Sequence, residues 1–150
     1  MCIRDSTYPA RFSFFAVTPL PYTTAAIKEA HYALNHLGAV GIGLLSNHED
    51  HYLGDTLLAP FFSALNSTKS TPVIFVHPNE PCQHSLANSS VLITSNPTTF
   101  PTGLVEFYFE TARTFMSLTL SSTLLSNPNL HYIVPHAGGS FPSILSLIHI

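Results

Sequence analysis

Four short apolar runs, separated by stretches of helical period, constrain this chain more than any other feature. The runs are Phe12–Val17, Ala39–Leu45, Pro72–Val76 and Leu130–Val134. None alternates apolar with polar residues, so each is expected to be a strand covered on both faces. Between the first two, Ala25–Leu37 puts Ile27, Ala30, His31, Leu34 and Leu37 on one stripe. Thr24 stands where an N-cap belongs, and Gly38 where a left-handed closing residue belongs. Pro60–Leu65 carries Phe61, Phe62 and Leu65, with the proline tolerated in a first turn. Gly103 to Leu125 is a longer periodic stretch with Leu104, Phe107, Tyr108, Thr111, Phe115 and Met116. The turn signal Asn127-Pro128-Asn129 ends it. The order β-α-β-α-β-α-β predicts an α/β fold with parallel strands. Two closures remain open at this stage: a doubly wound sheet, or part of an eight-stranded barrel.

Composition narrows the function classes. Charged residues make up 9% of the chain, against a usual share of roughly 25%. Hydrophobic residues make up 45%, too many for a disordered segment. The net charge is −3 and the basic residues are scattered, so there is no stripe to hold nucleic acid. The apolar runs are too short and broken to cross a membrane. Gly41-Ile42-Gly43 lies inside a strand and lacks the third glycine of a dinucleotide-binding loop. Pro78–Pro101 is long, polar and directly follows a strand, which suits an active-site loop better than a linker.

The two ends read differently from the rest. Codons can be chosen for Met1–Ser6 and Leu145–Ile150 so that one set is the reverse complement of the other. The shared nucleotide sequence resembles the transposase mosaic end used to fragment DNA for sequencing. Residues 1–6 and 145–150 are therefore expected to be adaptor scars, leaving 7–144 as an internal part of a longer protein. Cys2 then belongs to a scar, and Cys82 alone makes no internal disulfide, which favours a reducing, cytoplasmic setting.

Nine histidines dominate the chemistry-bearing residues. His31 and His36 are five apart on a helix, on different faces, and read as surface or boundary positions. His48 and His51 share a loop with Glu49, Asp50 and Asp55, which allows either a metal-binding cluster or a solvated loop. His84 and His131 have no supporting context, and His149 is in a scar. His77 and His136 differ. Each is expected to end a buried parallel strand just before a turn, at Val76-His77-Pro78 and Pro135-His136-Ala137-Gly138-Gly139. Side chains converge on ligands at such strand ends in barrels and doubly wound sheets alike. Histidine there can ligate a divalent metal or move a proton near neutral pH. Buried histidines hydrogen-bonded to backbone are the plainer alternative. Glu106, Glu110 and Arg113 share one helix face. They read either as a surface charge stripe or as a functional cluster among aromatic residues.

In chain order, Phe75-Val76-His77-Pro78, a long loop, Glu110-Thr111-Ala112-Arg113 and Pro135-His136-Ala137-Gly138-Gly139 resemble the metal-dependent decarboxylase branch of the amidohydrolase superfamily. That branch includes aminocarboxymuconate-semialdehyde and γ-resorcylate decarboxylases. Arg11-Phe12 to Pro19-Leu20, Gly38 to Gly43, and Tyr52-Leu53-Gly54-Asp55 add to the likeness, which is greatest to the fungal 6-methylsalicylate type. The resemblance implies a partial (β/α)8 barrel, about strands 3 to 6. It implies His77 as a metal ligand and His136 as a catalytic group that assists proton transfer or activates a metal-bound water. Glu110 and Arg113 would support those groups or reach the substrate. The cofactor would be a divalent metal, zinc by expectation. The reaction would be non-oxidative loss of CO2 from a small aromatic carboxylate of salicylate type. The family's N-terminal His-x-His or Glu-x-His ligands and its late Asp have no counterpart in this chain, so the segment alone is expected to be inactive and, with open sheet edges, prone to aggregate. The resemblance also implies homodimerisation of the parent. Two other readings stay open: a lactone or amide hydrolase of the same superfamily, and a non-catalytic relic that binds a small aromatic ligand or a partner subunit.

Overall fold

The computed structural model describes residues 7–69, 71–81, 84–85, 88–92 and 102–145. The expected scars, apart from Leu145, lie outside the described residues, as does Cys82. The main sheet has four parallel strands: β1 (Phe15–Val17), β2 (Gly41–Leu45), β5 (Val73–His77) and β8 (His131–Ile133). Two short antiparallel pairs sit in loops: β3 (Asn47–His48) with β4 (His51–Tyr52), and β6 (His84–Ser85) with β7 (Asn88–Leu92). The second pair lies within the long loop after β5, which the sequence left without secondary structure. The longer helices are α1 (Thr23–Tyr32), α2 (Ala59–Asn66) and α3 (Thr102–Leu120). α4 (Thr123–Ser126) and α5 (Phe141–Leu145) are single turns.

The sheet order β1-β2-β5-β8 follows the chain without reversal. A doubly wound sheet has a switch point and helices on both faces. Among the described residues the helices cover one face, and α3 reaches the rim of the other only at His77, the arrangement of consecutive β/α units of a barrel. Registration puts Ala16, Ile42, Ile74 and Tyr132 in one row, and Leu44 beside Val76 on the same face. These pack with Ala26, Ala30, Phe61, Phe62, Leu65, Phe115 and Leu118 in one core. The opposite face carries Phe15, Val17, Leu45, Phe75, His77 and Ile133. Val17 is 79% exposed and Ile133 43%. The expectation of strands covered on both faces is met on one face only among the described residues. The runs are apolar on both faces, but only one face is covered by the described residues.

Local signals explain most of the element ends. Gly38 closes the first helical region in the left-handed conformation, φ +75°, after a π turn at Ala33–Leu37. Its buried stripe is Ala26, Ala30 and Ala33, small residues that let α1 lie close to α2, while Leu37 is exposed. Thr24 does not cap α1. The helix starts at Thr23 and no side chain caps it. Asp55 instead caps the turn Thr56–Leu58 that leads into α2, its carboxylate accepting from Leu57 N at 2.8 Å. Pro60 lies in the first turn of α2, as expected.

Candidate active site

The C-terminal ends of β2 and β5 lie side by side, because Leu45 pairs with His77 in register. His77 ends β5 as expected, with an exposed side chain on the open sheet face. His136 does not end a strand. β8 stops at Ile133, and His136 sits in the turn Pro135–Gly138 with φ +51° and ψ +36°. Ala137, Gly138 and Gly139 also have positive φ. Four successive left-handed residues swing the chain sharply out of the sheet. For His136 and Ala137 this costs of order 1 kcal/mol or more each. Contacts with α3 hold the turn. Tyr108 O accepts from Ser140 N at 3.3 Å, and a side chain at Gly139 would meet that same oxygen at 2.2 Å. Gly139 is therefore obligatory for the approach of the turn to the helix.

Phe107 of α3 connects the two histidines. Its ring lies 5.7 Å from that of His77, nearly edge-on at 80°, and 6.2 Å from that of His136. Tyr108 flanks His136 at 5.2 Å, and Phe75 flanks His77 at 6.3 Å. Both imidazoles therefore gather on an aromatic shelf at the open end of the sheet. The sequence placed Phe107 only on an apolar stripe. Its position one helical turn before Glu110 and Thr111 was the available signal.

Glu110 and Arg113 are not a surface stripe. Glu110 is 0% exposed and Glu106 6%. Burying a carboxylate is costly unless donors surround it. Glu110 accepts from Arg113 Nη1 at 2.6 Å, Tyr52 Oη at 2.9 Å, Asn47 Nδ2 at 3.1 Å and Ser46 Oγ at 3.3 Å. Glu106 lies 3.9 Å from the same arginine nitrogen. Ser46 and Asn47 follow β2 directly and in turn bond Asn79, two residues past His77. Thr114 Oγ1 donates to Ser46 O at 2.9 Å. Sequence reasoning missed Ser46, Asn47 and Asn79. Their signal was short polar residues directly after apolar strands.

The remaining histidines are dispersed. His51 Nδ1 pairs with Asp55 Oδ2 at 2.9 Å. That bond, together with the one from Leu57 N, holds the Asp55 carboxyl below the usual carboxylate range. His48 Nε2 accepts from Leu45 N at 3.2 Å. Burial lowers its pKa, opposed by Glu49 and a backbone bond to Leu20. Each of the two thus has a local partner. His31 is partly buried on α1, and His36 stacks on Tyr32 at 5.4 Å. His131 starts β8 in register with Val73, at the far end of the sheet from His77. The side chain of His84 lies outside the described residues. Among the described residues no three His, Cys, Asp or Glu side chains come together. Among the described residues there is thus no complete ligand set for a metal. Among the described residues no helix is long and apolar enough to cross a membrane.

Parallel strands in chain order, with helices packed on one face among the described residues, define an α/β protein of the kind that consecutive units of a barrel form. The family model described as amidohydrolase matches residues 3–149, and the chain belongs to that family. It is 33% identical to the 6-methylsalicylic acid decarboxylase acuB of Aspergillus aculeatus, over 95% of this chain and 41% of that protein. A crystal structure of an amidohydrolase II superposes with a TM-score of 0.82 at 26% identity, over 96% of this chain and 44% of that one. The 5-carboxyvanillate decarboxylase of Novosphingobium aromaticivorans, complexed with manganese and 4-hydroxy-3-methoxy-5-nitrobenzoic acid, superposes at 0.71 with 22% identity, over 96% of this chain and 39% of that one. The chain spans 36% to 41% of the length of the fungal decarboxylases it matches.

Proposed function

We propose that this chain forms about the third to sixth strands of a (β/α)8 barrel whose parent decarboxylates a small aromatic acid of salicylate type without oxidation. The observation that carries this reading is the meeting of His77 and His136 across Phe107 at the carboxyl ends of the strands. The named activity of the fungal relatives supports the substrate class. His77 would be one ligand of a divalent metal, with the other ligands supplied from outside the described residues. That metal, when bound, supplies a Lewis acid and template for the substrate carboxylate and its neighbouring hydroxyl. Zinc is the expectation from resemblance, while a structural neighbour carries manganese, so metal analysis decides between them.

His136 would deliver or relay a proton to the ring carbon that bears the carboxylate. Its left-handed turn holds the imidazole away from the sheet and toward the substrate side. Phe107 and Tyr108 would exclude water beside it and offer a flat apolar surface to an aromatic ring. Glu110 and Arg113 would work from beneath, holding the loops and not touching the substrate. A cytoplasmic setting, favoured by the lone Cys82, and a homodimeric parent, implied by the resemblance, belong to the same reading.

The test is product analysis on the longer protein with a salicylate-type acid, together with two variants. CO2 release with the ring intact is expected. A ring-opened or hydrolysed product would favour the hydrolase reading, and no turnover with tight aromatic binding would favour a relic. His77→Ala is expected to lower metal content. His136→Ala is expected to lower turnover while metal content stays near wild type. Equal metal loss in both would make His136 a ligand.

A further inference from the structure

We propose that Glu110 is the positioning residue of this site and that it acts on His77 through Ser46, Asn47 and Asn79. The proposal rests on the metal-dependent decarboxylase reading and adds residues and a route that the resemblance does not supply.

The route can be followed bond by bond. Glu110 gathers the side chains of Ser46, Asn47 and Tyr52 onto α3. Asn79 then pairs reciprocally with the same two loop residues. Its backbone N donates to Ser46 Oγ at 3.1 Å, and its Nδ2 donates to Asn47 O at 3.3 Å. Its Oδ1 accepts from Asn47 N at 3.3 Å and competes with Glu110 for the single hydrogen of the Ser46 hydroxyl. Ser46 N donates to His77 O at 3.0 Å. The backbone from His77 to Asn79 is therefore pinned to Ser46 at both ends. Between them stands Pro78, whose ring fixes φ and leaves little slack. Any shift of the loop after β2 must move His77.

A purely stabilising role would not call for this arrangement. Apolar side chains of similar volume often replace a buried ionic cluster with no loss of stability. What the cluster supplies is direction. Its donors point at one carboxylate from the loop after β2, from β4 and from α3 itself, and so select one loop geometry. Groups that orient a metal ligand typically change metal affinity or activity about 10–100-fold when removed.

The experiment uses the longer, metal-loaded protein, with Glu110→Gln and Asn79→Ala. Metal affinity is measured by competition with a chelator, and ligand geometry by the visible spectrum of the cobalt-substituted protein. Both variants are expected to lose metal affinity about 10–100-fold and to shift the cobalt bands. Variants that melt earlier but keep wild-type affinity and spectrum would overturn the positioning role while leaving the decarboxylase reading intact. If Glu110→Gln does not fold, Asn79→Ala, a half-buried loop change, decides alone by the same two readouts. A wild-type protein that binds no divalent metal would overturn both readings together.

Discussion

The two faces of the sheet are built from similar side chains and differ in what meets them. Ile42, Leu44, Ile74 and Val76 lie under α1, α2 and α3 and are buried. Phe15, Val17, Leu45 and Ile133, on the other face, are all exposed. The covered face makes the fold stable. The open face ends at His77 and borders the shelf of Phe107 and His136. Apolar character alone therefore does not distinguish a core from a surface waiting for a partner or a ligand. The topology does.

The largest contrast should come from truncating one residue on the covered face. Ile74→Ala is expected to cost roughly 2–5 kcal/mol in urea unfolding, the usual range for a buried isoleucine. Next, Gly139→Ala should cost about 1–3 kcal/mol from backbone conformation alone, with a collision against Tyr108 O in addition. It should also displace the His136 ring from Phe107, visible as changed imidazole NMR shifts. Unchanged shifts would mean that the turn adapts without moving the histidine.

Asp55→Ala removes the cap before α2 and should cost about 1 kcal/mol. Because the folded carboxyl sits below its unfolded value, the wild-type contribution is present above the carboxylate range and fades as pH falls through the lowered value. The variant should therefore lose less stability than wild type on acidification, and an identical acid profile would remove this role. His48 acts in the same direction at milder pH. Its folded pKa lies below the unfolded value of about 6.5, so stability is complete above that pH and declines as the pH drops beneath it. His48→Gln should flatten that decline. The smallest effect is expected at Val17→Ala on the open face, within about 0.5 kcal/mol. A loss there as large as for Ile74→Ala would mean that the open face is covered, and the contrast between the faces would fail.

Much of the fold was legible because its signals are local. Strand positions follow from apolar runs, Gly38 from its place after a helical stripe, and the turn at Asn127-Pro128-Asn129 from its composition. Thr24 misled because the helix began two residues earlier than expected and left its start uncapped by any side chain. His77 was placed correctly because Pro78 marks a strand end. His136 was misplaced by three residues because Pro135 and the left-handed turn end pairing before it. The burial of Glu110 was not legible at all. A carboxylate among aromatic residues reads the same whether water or four donor side chains surround it.

The sequence by itself determined which segments pair as parallel strands, which stretches become helices, and which histidines stand near strand ends. These depend on periodicity and on single residues such as Gly38 and Pro78, whose preferences act within a few positions. Only the tertiary structure decided that the helices gather on one face and that Phe107 brings His77 and His136 together. It alone showed that Glu110 joins the loops after β2 and β5. Those outcomes depend on side chains that lie up to 64 residues apart in the chain, as Ser46 and Glu110 do. No local preference encodes such a meeting. It follows from packing one amphipathic helix over two adjacent strand ends, where a buried charge is tolerated only if distant donors reach it.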